Sequence, residues 1–194
     1  MFMMEEIEKV KENILKRETT DRIMWFSMWF LLSIITFGLA LFPMFYFLVK
    51  RRNSHFLRQR EFEKMVLSIL KDKGLKIQVE PDNIPERNAL LWALAIPLLF
   101  PVFVVLYYLS EDLIVHEKRQ IFLFNSIFPR GRFVEQKLNL KFCMAITLVT
   151  LGVGVIYWLY KVFNAYNNHF KEQWKVEDKI IQILDGECLN EHKC

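Results

Sequence analysis

The chain has 194 residues, 53% of them hydrophobic and 15% aromatic, yet 25% charged, with a formal net charge of +4. So modest a charge, with acids mixed among the bases and no aromatic-interleaved basic stripe, excludes an electrostatic nucleic-acid binder. Three cysteines, with Cys143 inside an apolar stretch, exclude a disulfide framework.

Residues 1–22 read as an N-terminal amphipathic helix, with Met4, Ile7, Val10, Ile14 and Leu15 on one side and i,i+4 pairs Glu5–Lys9 and Glu12–Lys16 on the other. Residues 23–49 carry no charge and are long enough to span a bilayer as helix. The charged helix before them, and the lack of a small-residue cleavage site, argue against a secretory signal. Trp25, Trp29 and Tyr46 suit the two interfaces, and Pro43 is expected to kink the segment. Residues 56–73 form a second amphipathic helix, with Phe62, Met65, Val66, Ile69 and Leu70 as its apolar stripe and Gly74 as its stop.

Lys76–Val79 reads as extended, and Pro81 and Pro85 bracket a turn, Pro85 opening the next helix. Residues 88–110 are the second uncharged block, with Pro97 and Pro101 demanding neighbouring helices in lipid. The linker to residue 140 breaks at Pro129-Arg130-Gly131. Residues 142–163 are the third block, uncharged as far as Tyr160, and an amphipathic helix follows at 164–184 before a tail at 185–194.

Residues 36–70 repeat as residues 150–184 at a constant offset of 114 (150 minus 36), with ten identities in 35 positions. Thr36, Gly38, Tyr46, Asn53, His55, Phe56, Gln59, Glu63, Ile69 and Leu70 match Thr150, Gly152, Tyr160, Asn167, His169, Phe170, Gln173, Glu177, Ile183 and Leu184. The units are therefore residues 23–73 and 141–184, each a span followed by a helix. Between them, residues 74–140 hold a degraded third copy. Phe100-Pro101-Val102-Phe103 echoes Phe42-Pro43-Met44-Phe45 at an offset of 58 (100 minus 42), which leaves Asn53 and His55 without counterparts and His116 out of register by three.

The expected fold is all-α, an integral membrane protein of three transmembrane helices alternating with amphipathic interfacial helices. Lys plus Arg number 15 around the first linker and C-terminus against 11 elsewhere, a faint preference for a cytoplasmic C-terminus. A competing arrangement makes each block a re-entrant hairpin turning at Gly38 or at Gly152 and Gly154. Its difficulty is that the turn would expose backbone to lipid unless protein covers it.

Candidate site residues follow from this frame. Gly38, Gly152 and Gly154 suit close helix packing. Thr36 and Thr150 can bond back to their own helices. Lys50, Arg51, Arg52, Trp158, Tyr160 and Lys161 suit the headgroup level, where the basic cluster favours anionic lipid. His55, Gln59 and Glu63 recur as His169, Gln173 and Glu177, one polar stripe per helix. A metal would need ligands from both copies, because i and i+8 lie about 12 Å apart along one helix. The preferred reading is a solvated face inherited by duplication, with His55 and His169 as secondary candidates. Cys188, His192 and Cys194 offer an incomplete ligand set in the tail, read as chance. No catalytic residue and no cofactor is expected, since the uncharged blocks lack the ionisable groups of pumps and intramembrane enzymes.

Thr36-Phe-Gly38 followed by Pro43-Met-Phe-Tyr46, and Thr150-Leu-Gly152 followed by Tyr157-Trp158-Leu-Tyr160-Lys161, resemble the T-x-G-x-x-x-x-Y-W-x-Y-[KR] pattern of a family of small prokaryotic membrane proteins, domain of unknown function 4234. The first copy departs at Pro43 and Met44. The resemblance implies a multi-pass protein of the cell membrane and supplies no activity. The expected function is a non-enzymatic membrane scaffold or interaction protein, whose partners are the bilayer, anionic headgroups and a protein partner or second copy. The alternative is an oligomeric transport or channel subunit.

Overall fold

The three apolar blocks do not run straight. In the computed structural model, which describes residues 2–72, 74, 77, 83–128 and 138–185, each block folds back on itself. The described elements are all helical: α1 (Phe2–Leu15), α2 (Arg17–Thr20), α3 (Phe26–Ile35), α4 (Leu41–Asp72), α5 (Ala89–Ala95) with a 3₁₀ turn (Ile96–Leu98), α6 (Phe100–Ile127), α7 (Leu140–Val149) and α8 (Val155–Leu184). Among the described residues no helix is long and apolar enough to cross a membrane. The three spans expected at 23–49, 88–110 and 142–163 are thus replaced by three hairpins, each with a short arm (α3, α5, α7) and a long arm (α4, α6, α8). The amphipathic helices expected at 56–73 and 164–184 are the lower parts of α4 and α8, continuous with half of the preceding apolar block.

The reversals lie at Phe37-Gly38, Leu99 and Leu151-Gly152, where φ is 49° and 90°, 60°, and 50° and 98°. In the first and third hairpins the turn is a Schellman motif. The Gly38 amide donates to the Ser33 carbonyl at 2.7 Å and Phe37 to Ile34 at 3.2 Å; Gly152 donates to Thr147 at 2.8 Å and Leu151 to Leu148 at 3.1 Å. The threonines stitch the two arms. The Thr36 hydroxyl donates to the Leu32 carbonyl at 2.8 Å and accepts the Ala40 amide at 3.0 Å. Thr150 does the same with Ile146 at 2.7 Å and with the Gly154 amide at 2.6 Å. In these two hairpins the amides of the reversal find partners inside the turn itself. Gly38 and Gly152 therefore serve the reversal rather than helix packing. Close approach falls to Gly154, where an added Cβ would lie 2.8 Å from the Ile146 backbone.

Leu99 settles the register of the middle copy. Each reversal precedes a histidine by 17 residues (55 minus 38, 116 minus 99, 169 minus 152). His116 is thus the true counterpart of His55 and His169, and Gln120 that of Gln59 and Gln173. The Phe-Pro echo misaligns the copy by three. Its prolines sit where an amide has no helical partner, Pro43 in the first turn of α4 and Pro101 at the start of α6. Pro43 therefore opens a helix and does not kink one. Asn88 rather than Pro85 starts α5, its side chain accepting the Leu91 amide at 2.9 Å.

With equal spacing from turn to histidine, the three long arms run parallel and the tips share one end. An upper apolar core joins Met44, Phe45, Leu48, Val105, Leu109, Val162, Phe163 and Phe170. A lower one joins α1, through Val10 and Ile14, to Phe62, Val66, Leu123, Ile180 and Leu184. Asparagines clasp neighbouring units. Asn53 holds Arg87, ahead of α5, donating to its carbonyl at 2.6 Å; Asn167 holds Met24, ahead of α3, donating at 2.7 Å and accepting the Met24 amide at 3.2 Å. The first unit thus grips the second and the third grips the first. Pro81, Pro129-Arg130-Gly131 and the tail lie outside the described residues.

Phe37 occupies a left-handed conformation that costs a bulky L-residue about 1–2 kcal/mol, with its side chain 98% exposed. Phe37→Gly is expected to raise stability against denaturant in detergent by about 1 kcal/mol. An unfolding titration checks it.

Candidate functional site

Between the two apolar cores lies a buried polar layer. Each long arm contributes a histidine and, one turn below, a glutamine. His55 Nε2 lies 3.1 Å from His169 Nε2, and the His116 ring stands 5.5 and 5.3 Å from those of His55 and His169, centroid to centroid. One ligand nitrogen from each of the three lies within 4.8 Å of the others, the arrangement that could hold a metal ion. All three rings are buried, and Phe56 stacks on His116 at 4.3 Å.

Carboxylates hold two of the rings from behind. Asp21 Oδ1 lies 2.9 Å from His55 Nδ1, and Glu117 Oε1 lies 3.0 Å from His169 Nδ1. Asp21 also accepts from Arg58 at 2.7 Å and from the Trp174 indole at 2.8 Å. Arg58 spans to Glu177 at 2.8 Å, and Gln59 donates to the same Glu177 oxygen. The glutamines close the layer: Gln59 Oε1 accepts from Gln173 at 2.9 Å and from Gln120 at 3.2 Å.

Burial pushes His55 down to about 4, against the opposing pull of Asp21, so that the ring is neutral at pH 7. Burial first, then the charges of the two other histidines, also drives His116 well below its ordinary value. Asp21 resists protonation. Burial opposes its charge, but His55, Arg58 and Trp174 hold the carboxyl well below the usual range. Burial raises Glu177 despite Arg58.

The sequence expectation of a solvated stripe at His55, Gln59, Glu63 and their copies is therefore corrected. Their spacing of one per turn aims them inward, at each other. The headgroup reading of Lys50, Arg51, Arg52, Trp158, Tyr160 and Lys161 also divides. Arg52 is fully buried, donating to Asp112 and to the Pro85 carbonyl, each at 2.8 Å. Arg51 is buried against the Phe163, Tyr166 and Phe170 rings and donates to Asn167 at 2.8 Å. Trp158 is buried and donates to Ser110 at 2.9 Å. Lys50 and Tyr160 remain on the surface and Lys161 is half-buried. The tail candidates Cys188, His192 and Cys194 lie outside the described residues. Sequence reasoning misses His116 because the proline echo sets its copy three residues out of register.

The tips form the other distinctive surface. Ile34, Ile35, Phe37 and Leu39 in the first hairpin, Leu98, Leu99 and Phe100 in the second, and Leu148, Val149, Leu151 and Val153 in the third are all exposed. Descending the long arms, the first charged residues are Lys50, Glu111 and Lys161, which lie 12, 12 and 9 residues below the turns (50 minus 38, 111 minus 99, 161 minus 152). At helical rise these depths are about 14–18 Å. Tyr46, Tyr107 and Tyr160 each lie eight residues below a turn (46 minus 38, 107 minus 99, 160 minus 152), a ring of phenols at one level. No protein family, curated protein or solved structure matches the chain.

Proposed function

We propose that this chain is a membrane-anchored scaffold, non-enzymatic, which sets three helical hairpin tips into one leaflet and presents its lower helices to partners on the same side. The observation that carries the reading is the charge-free depth of the tips. About 14–18 Å matches one leaflet of a hydrocarbon core roughly 30 Å thick. The supporting features agree in level: tyrosines in a ring above the charges, Lys50 and Lys161 beneath, and, in the first and third hairpins, reversals whose amides are satisfied internally. Eleven large apolar side chains exposed at the tips, at about 1.5–3 kcal/mol each when fully buried, supply ample driving force for insertion.

Vesicle flotation tests the reading. Full-length protein, exchanged from detergent onto phosphatidylcholine vesicles, is expected to float with the lipid. The double variant F37D/L151D should lose at least 10-fold in bound fraction while keeping its helix content, because the two residues are 98% and 95% exposed. Equal flotation of the variant would defeat the proposal.

A further inference from the structure

We propose that His55, His116 and His169 form a trihistidine site for one divalent transition-metal ion of borderline class, such as zinc. Each ring comes from a different hairpin, at the same height, 17 residues from its reversal. The three present one nitrogen each within a 4.8 Å circle. A duplicated fold with threefold register brings like residues to its axis, and here the axial residue is a metal ligand in every copy.

The hydrogen bonds select the atoms. Asp21 and Glu117 are positioned to accept from the Nδ1–H groups of His55 and His169. That tautomer leaves both Nε2 atoms as lone pairs, and these face each other at 3.1 Å. Two acceptors at that distance repel unless a cation lies between them. A carboxylate behind each ligand imidazole is the usual way a protein fixes the tautomer and orientation of a metal-bound histidine and raises its basicity. Bonds of about 2.0–2.1 Å from zinc to imidazole nitrogen place ligand atoms roughly 3.3 Å apart in a tetrahedron, close to the 3.1 Å between the His55 and His169 Nε2 atoms, with a His116 nitrogen within 4.8 Å of both. The carboxylates behind two of the ligands also place negative charge near a divalent ion. Imidazole donors without thiolates favour zinc, copper, nickel or iron over magnesium or calcium.

Two other candidates carry less. A cavity of about 660 Å³ opens between the second and third hairpins, lined by Phe100, Phe103, Tyr107, Met144, Leu148 and Trp158; its apolar walls name no occupant beyond the lipid already invoked. Arg51 and Arg52 of the basic cluster turn inward, and Lys50 alone stays exposed.

The site is independent of membrane anchoring, and its test runs in detergent on full-length protein carrying Cys188→Ser, His192→Ala and Cys194→Ser, so that tail ligands cannot contribute. After treatment with a chelator, the protein is titrated with Zn²⁺ by calorimetry, and with Co²⁺ to read tetrahedral visible absorption bands. One equivalent is expected to bind, with the Co²⁺ bands of a nitrogen-rich site. His116→Ala should weaken binding at least 100-fold. Glu117→Gln, which keeps an acceptor behind His169, should weaken it roughly 10- to 100-fold; it decides the matter if the alanine variant fails to fold. A folded parent that binds neither ion, or whose binding is unchanged in the variants, overturns the site. That result would identify the cluster as a hydrogen-bonded imidazole pair sharing a proton.

Discussion

Replacing Asp21 by alanine is expected to destabilise the fold by about 3–5 kcal/mol, the cost of removing one partner from a buried ion pair. Asp21 ends the short α2 and is 1% exposed. Its two oxygens accept from His55 Nδ1, Arg58, the Trp174 indole and the Thr20 hydroxyl, so that one carboxylate ties α2 to two long arms. Alanine would leave the buried Arg58 with only Glu177 and strand two further donors. Asp21→Asn, which keeps the shape and one acceptor, should cost less, and urea unfolding followed by circular dichroism ranks the two. The sign of the pH dependence is fixed by the same contacts. The folded carboxyl titrates below its unfolded value of 3.8. Its contribution is therefore present above about pH 4 and is lost as pH falls further. The difference between parent and Asp21→Asn should narrow over that acid range.

Gly154→Leu is expected to cost about 3 kcal/mol or more. Gly154 is buried where α7 and α8 cross, and the atoms an added Cβ would meet, the Ile146 carbonyl and the Thr147 Cα, all lie at 2.8 Å. These are backbone atoms and cannot rotate aside. A leucine must lever the arms apart and disturb Cys143 and Thr147 on one arm and Trp158 on the other. Better helix propensity returns only about 1 kcal/mol. The equivalent place in the first hairpin (154 minus 114) is Ala40, already an alanine and buried. Ala40→Gly should cost only about 1 kcal/mol. Thermal unfolding of the two variants in detergent separates a close-packed crossing, expected only in the third hairpin, from a general demand for small residues.

Much of this architecture can be read from sequence, and the failures have physical causes. The repeat pairs His55 with His169 and Thr36 with Thr150, and the helical character of the chain follows from its periodicity. The hairpins enter only as the competing arrangement, because a count of apolar residues measures length along the chain and is blind to a reversal. The Thr-x-Gly signal marks that reversal in two copies, but in the third Leu99 adopts the left-handed conformation without a glycine, so the copy that completes the triad carries no turn signature. The histidine stripe reads as solvated when each helix is taken alone. Only three parallel arms make one polar face an interior. Arg51 and Arg52 likewise read as headgroup ligands until Asn167 and Asp112, from other units, are brought beside them.

The central claim, that the tips enter one leaflet and everything else lies on one side, is tested most directly by single-cysteine labelling. Cys143, Cys188 and Cys194 are replaced, and single cysteines are placed at Glu12, Ser68, Ser126 and Gln182, all exposed at the lower end, and at Leu151 on a tip. In sealed, oriented vesicles an impermeant maleimide should label all four lower positions from the same side and Leu151→Cys from neither. Labelling of Ser68 and Gln182 from one side, with Glu12 and Ser126 from the other, would restore three spans and contradict the hairpin fold.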